Sequence, residues 1–287
     1  MDDRTAGWIN GLIGVVIFSG SLPATRIAVA EIDPLFLTGV RASLAGLLAV
    51  LLLVIGREKR PDGRQILSLL VVALGVVIGF PFLTALALTE MTAAHSIVFI
   101  GLLPLATALF GVLRAEERPK PAFWLFSVAG SLCVSLYALS GGLGEALAGD
   151  GLMLVAIIVC GLGYAEGGRL SRALGGWQVI CWALVLSLPL MLLLSALHAP
   201  PSLAGIHWPA LAGLGYVSLF SMLIGFIFWY RGLSQGGIAA VGQLQLLQPF
   251  FGLALAFLLL DEPVTWGMFA ATLAVIACVA GARRFAR

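Results

Sequence analysis

Between Pro34 and Ile55, twenty-two consecutive residues carry a single charge, that of Arg41, and the chain contains nine more runs of this kind. A helix needs roughly 20 apolar residues to cross the hydrocarbon of a bilayer, so each run is sized to a membrane. Charged clusters separate ten predicted spans: Trp8–Ala28, Pro34–Ile55, Ile66–Leu88, Thr92–Leu113, Ala122–Leu139, Gly151–Arg169, Trp177–Leu197, Trp208–Arg231, Gly237–Leu260 and Val264–Ala282. A transmembrane barrel would show short alternating segments, so the expected fold class is an all-α membrane protein. Charged residues make up only 10% of the chain, where a soluble domain carries about 25%.

Ala28-Val29-Ala30 has the small-residue pattern of a signal-peptidase site. The leading Met-Asp-Asp-Arg lacks a positive n-region and Arg26 lies just before the site, so the first helix is expected to be retained. The four cysteines all fall inside spans with no CxxC spacing, and imply neither a disulfide framework nor a metal site. No basic tail offers a nucleic acid a docking site.

Lysine and arginine concentrate at alternate connections: Arg57–Arg64, Arg114–Lys120, Arg169 with Arg172, Arg231, and Arg283–Arg287. The intervening connections carry Glu31 and Asp33, Glu90, Glu145 and Asp150, and Asp261 with Glu262. Basic loops stay cytoplasmic, so both termini are expected inside the cytoplasmic (inner) membrane, and the number of spans is even.

Two stretches repeat one another at an offset of 145 residues. LLPLATALFGVLRAEERP and LLQPFFGLALAFLLLDEP align Pro104 with Pro249 and Glu116-Glu117 with Asp261-Glu262. They belong to the fourth and ninth spans, five apart, which therefore cross in opposite directions. The expected architecture is two inverted five-helix repeats, residues 1–140 and 150–287. Such halves can exchange conformations around a shared midplane site, as secondary transporters do.

These two segments, with FSGSLPATR (Phe18–Arg26) in the first span and DPLFLTGVRASLAGLL (Asp33–Leu48) opening the second, resemble the drug/metabolite transporter superfamily in its ten-helix EamA-like branch. The resemblance covers nearly the whole chain. It implies export of small metabolites such as amino acids through a central cavity, chiefly lined by helices one, three, four, six, eight and nine. A narrower similarity to YddG-type exporters implies aromatic amino acids. On the matching first-span stretch it makes Phe18 and Ser21 candidate substrate contacts; Tyr164 of the sixth span, where GLGYAEGG departs from the family pattern, is a further candidate.

Local chemistry adds the rest of the candidate site. Pro104 and Pro249 sit at mid-span, where proline removes a backbone hydrogen bond, and are hinge candidates. Gln243, Gln245 and Gln248 put three amides into the ninth span. An unpartnered amide there costs roughly 2–7 kcal/mol, so Gln245 and Gln248, three apart on one face, are read as substrate-binding, with interhelical hydrogen bonding as the equal alternative, and Gln243 as pointing elsewhere. Phe80 and Phe82 flank Pro81 as stacking surfaces. His95, with Phe99 one turn on, is a candidate for binding a carboxylate or carrying a proton, against the alternative of an interfacial residue. Glu166 is the second candidate for proton coupling, with an i,i+3 pair to Arg169 as its structural alternative. Arg26 and Arg41 are expected to pair with Glu31 or Asp33. Trp229 and Tyr230 are expected in an interfacial belt, because Arg231 marks the boundary. The acids after the fourth and ninth spans are expected to cap the helices that follow.

No GxxxxGK[ST] loop and no soluble segment of domain size are present, which excludes direct ATP coupling by this chain, and no nucleotide-binding subunit is expected as a partner. An HExxH motif is absent, and the three histidines form no constellation with a serine, which disfavours an intramembrane enzyme. The expected function is secondary export of a small organic solute through the lipid bilayer without a cofactor, with a passive facilitator as the rival. The oligomeric state is left open, and a single copy would suffice.

Overall fold

A computed structural model describes residues 2–139, 147–202, 205–260 and 266–286. Those residues form ten rods. They are α1 (Asp3–Ser19 continued by Ser21–Val29), α2 (Pro34–Ile55), α3 (Gly63–Val72 through Phe80–Glu90), α4 (Ala93–Ile100, then Leu103–Ala115) and α5 (Pro121–Leu139). After these come α6 (Leu147–Leu174), α7 (Gly176–Leu197), α8 (Trp208–Tyr216 through Gly225–Gly236), α9 (Ile238–Gly242 through Gln248–Leu260) and α10 (Trp266–Phe285). Seven are long and apolar enough in one piece to cross a membrane, and shorter apolar helices occur at Leu103–Ala115 and Pro121–Cys133.

Helix starts follow local chemistry. Asp33 accepts from the amides of Leu35 and Phe36 at 2.9 Å, with Pro34 in the first turn, and Asp62 with Gln65 forms a capping box ahead of α3. Between α6 and α7, and again between α8 and α9, the chain reverses at a glycine with positive φ, Gly175 at 95° and Gly237 at 92°. Outward faces are apolar: Leu51, Val54 and Ile55 of α2 and Leu193 and Leu197 of α7 are more than half exposed, as a lipid-facing surface requires.

Irregularities in the rods obey the repeat seen in the sequence. A π-helical segment interrupts α3 at Ala73–Gly79 and α8 at Val217–Ile224. Each ends with an amide bonded five residues back, Phe80 to the carbonyl of Gly75 and Gly225 to that of Phe220. In α4 the helix breaks between Ile100 and Leu103, and in α9 it tightens to a 3-10 turn over Gln243–Leu247. Pro104 and Pro249 both stand in the first turn of the helix that resumes, where a missing N–H leaves nothing unsatisfied. They open new half-helices, whereas the sequence suggested kinks in continuous ones.

Packing is paired in the same way. The repeat equates α1 to α5 with α6 to α10. α1 lies against α8 as α6 lies against α3, and α9 touches α1 as α4 touches α6. α2 packs on its own counterpart α7, and α5 on α10, where the equivalent Cys133 and Cys278 meet. Two inverted repeats therefore form one object: a bundle of α3, α4 and α6, a counterpart bundle of α8, α9 and α1, and two flanking pairs.

Small residues let these bundles close up. A methyl group on Gly75 would lie 2.6 Å from the Val159 carbonyl oxygen, and one on Gly232 would lie 2.7 Å from the backbone nitrogen of Gly11. These glycines are thus points of close backbone approach, of α3 on α6 and of α8 on α1.

Candidate functional site

A chamber lies between the two bundles. It is lined by Phe18, Ser21 and Leu22 of α1, Arg41 of α2, Val76, Phe80 and Pro81 of α3, Leu103 of α4, Tyr164 of α6, Ser221 and Phe226 of α8, and Gln248 of α9. These are the six helices the sequence resemblance implied, with α2 added through Arg41. The free space for a water-sized body is about 20 Å³, so the chamber is collapsed and shut.

The aromatic walls form one cluster. Phe18 lies 4.9 Å from Phe226 and stacks at 6.3 Å on Tyr164, and Tyr164 meets Trp229 at 5.3 Å between ring centroids. Trp229 and Tyr230 are wholly buried, and the Tyr230 hydroxyl donates to the Gly163 carbonyl at 3.2 Å. This corrects their expected place in an interfacial belt. α8 continues past Arg231 to Gly236, so that arginine does not end the helix.

Polar groups face this apolar wall. The hydroxyls of Ser21 and Ser221 bond at 2.7 Å, and Arg41 reaches Ser221 Oγ at 3.5 Å. Gln248 Nε2 donates to the Phe18 carbonyl at 3.5 Å while its Oε1 has no partner. Gln245 is wholly buried beside Tyr164, with neither amide atom in hydrogen-bonding geometry. Gln243 points elsewhere, donating to Ser127 of α5 at 3.2 Å.

Of the sequence candidates, Phe18, Ser21, Phe80, Tyr164 and Gln248 thus share the chamber, and Gln245 lies just behind Tyr164. Phe82, His95 and Phe99 do not line it. His95 bonds Asp150 of α6 at 2.9 Å, and Phe99 packs beside its ring. Arg41 and Phe226 are lining residues the sequence reading missed.

Both ends are closed by contacts between bundles. At the basic end the Glu117 carboxylate, just beyond α4, accepts from the first amides of α9, Ile238 N at 2.8 Å and Ala239 N at 2.7 Å. It also pairs with Arg172 of α6 at 2.9 Å. Glu117 is a cap, as expected, but of α9 and not of the helix that follows it. A groove of about 550 Å³, lined by Glu117, Arg118, Arg172 and Gly237 among others, lies at this end. At the acidic end Arg26 of α1 donates to the Leu88 carbonyl of α3. Neither Arg26 nor Arg41 pairs with Glu31 or Asp33: Glu31 holds His207, and Asp33 caps α2. Asp261, Glu262 and Pro263 lie outside the described residues.

Within the first bundle, Glu166 is wholly buried between Arg114 Nε, at 2.9 Å, and Arg169, which also reaches Ser68 of α3. This confirms the i,i+3 pair and adds an interhelical partner.

The model of the EamA-like transporter family matches residues 5–139 and 147–283, once on each side of the chain's middle. The chain belongs to the EamA-like transporter family. It is therefore a multi-pass membrane transporter and not an enzyme. Similar relatives of this family include the uncharacterized transporter YdeK of Bacillus subtilis strain 168, 67% identical over all of both chains. The uncharacterized inner membrane transporter YedA of Escherichia coli K12 is 25% identical over 73% of this chain and 68% of its own. A solved crystal structure superposes on 99% of this chain and 98% of its own, with a TM-score of 0.78 and 19% identity, a likeness of fold alone.

Proposed function

We propose that this protein exports amino acids, aromatic ones foremost, across the cytoplasmic membrane by alternating access, with both termini cytoplasmic. The observation that carries the reading is the chamber: the aromatic rings of Phe18, Phe80, Tyr164 and Phe226 share it with hydroxyl, amide and guanidinium groups, and separate contacts shut both ends. An aromatic side chain gains stacking on such rings, and its polar backbone end meets the unpartnered polar atoms.

Alternation follows from the two latches. When Glu117 leaves the N-terminus of α9, the bundles part at the basic end while Arg26 still holds Leu88; the reverse opens the acidic end. Pro104 and Pro249 stand where the half-helices of α4 and α9 join, so tilting there costs no hydrogen bond of an intact helix. Glu166 acts as a brace that keeps α4 on α6 during this motion, and proton coupling through it would require both guanidiniums to withdraw.

The test is counterflow in proteoliposomes. Labelled phenylalanine or tryptophan should enter faster when unlabelled amino acid is inside, and uptake should saturate. Linear uptake without exchange would assign the chain to the passive facilitators.

A further inference from the structure

Arg41 is the one charge among the chamber's lining residues. It enters the bundle on the second turn of α2, about 10 Å along the helix from Pro34, and is 5% exposed. None of the described carboxylates lies within ion-pair distance of it. A guanidinium carries five N–H donors, yet the contact with Ser221 is long, at 3.5 Å, and Nε has no partner. Ser221 is itself already engaged with Ser21.

A buried guanidinium left in this condition is costly, and charge at membrane depth persists where it serves a pathway. Arg26 shows the contrast: it lies in the same half of the membrane, is only partly buried, and is bonded to a backbone carbonyl. Structural need is met there and not at Arg41. The other unpartnered atom on the chamber wall is of opposite polarity, the Gln248 Oε1 acceptor. One face of the chamber thus lacks an anion, and another lacks a donor.

We propose that Arg41 is the carboxylate anchor of the transport site, and that Gln248 Oε1 accepts from the ammonium group of the same zwitterion. The proposal rests on the transport reading above and narrows it: substrates must carry a free carboxylate, held by the planar guanidinium fork, with the side chain against the aromatic wall. As the chamber collapses after release, Ser221 substitutes for the carboxylate.

Counterflow of labelled phenylalanine by the full-length protein, with unlabelled phenylalanine, phenylalaninamide and phenethylamine as competitors, reads the anchor directly. The two compounds lacking the carboxylate should compete at least about tenfold more weakly than the amino acid. Arg41→Gln should weaken the amino acid by about the same factor and abolish its advantage over the amide, while Arg41→Lys should retain part of it. Equal competition by acid and amide on the wild-type protein overturns the proposal whether or not either variant folds. Retained preference in a folded Arg41→Gln protein also overturns it. If no amino acid exchanges at all, the transport reading fails separately. The anchor is then read from thermal stabilisation of the purified protein by 3-phenylpropionate and its amide. Stabilisation by the acid alone supports the anchor, and equal stabilisation or none contradicts it.

Discussion

Gln245→Leu separates function from stability, because the two should move in opposite directions. The Gln245 side chain is wholly buried, and both its amide atoms lack partners. An unpaired buried amide costs about 1–3 kcal/mol by mutational measures, while leucine is close in volume and leaves no polar atom behind. The substitution should therefore stabilise the collapsed state by about 1–3 kcal/mol. At roughly 2–4 °C per kcal/mol, the apparent unfolding midpoint in detergent should rise by several degrees. Transport should fall, because the amide beside Tyr164 is held unsatisfied for a polar partner that the substrate, or the open state, supplies. The assay pairs a melting curve of purified protein with counterflow of labelled phenylalanine. A lower midpoint would mean that the amide is satisfied in the native protein. An unchanged KM and kcat would remove Gln245 from the transport site.

Other substitutions address the remaining parts. Gly232→Leu should lower the yield of folded protein several-fold, since its first carbon would lie 2.7 Å from the backbone nitrogen of Gly11, where neither helix can yield; chromatographic homogeneity is the readout. Glu117→Gln should cost about 1 kcal/mol at the α9 N-terminus and raise the reactivity of a cysteine placed at Ser234 toward membrane-impermeant reagents added at the basic end; unchanged reactivity would show that Glu117 is no latch. Glu166→Gln should destabilise the fold by about 1–3 kcal/mol and leave the pH profile of transport in place. A flattened profile would reassign Glu166 from brace to proton carrier.

The fold was readable because bilayer thickness imposes its length on the sequence, and because the paired prolines and acids mark the repeat. The break in the fourth helix was half readable: Pro104 marked the place as a kink, but the run Thr92–Leu113 is apolar and gives no sign that the helix stops at Ile100 and resumes at Leu103. Pro81 gave half a signal for the π segment of α3, since its ring cannot donate to the preceding turn, but α8 makes the equivalent turn without a proline. Around the site, pairing rules that work along one chain segment misplaced Arg41. Its neighbour Ser221 is 180 residues away and no spacing rule connects them. Phe226 and Trp229 were missed or misplaced for the same reason, as burial against Phe18 and Tyr164 depends on how α1, α6 and α8 converge. Gln248 and Phe80 were legible because a buried amide and a proline-flanked aromatic are costly or distinctive wherever they occur.

Alternating access requires the two bundles to part at one end while they stay closed at the other. Spin labels at Ala173 and Arg231 report on the basic end, and labels at Ala30 and Ala148 on the acidic end; all four positions are exposed. With the native cysteines replaced, removing the latch at Glu117 should widen the electron–electron distance at the basic end while that at the acidic end stays short. Distances that widen together at both ends, or stay fixed during demonstrable transport, would contradict alternating access between these bundles.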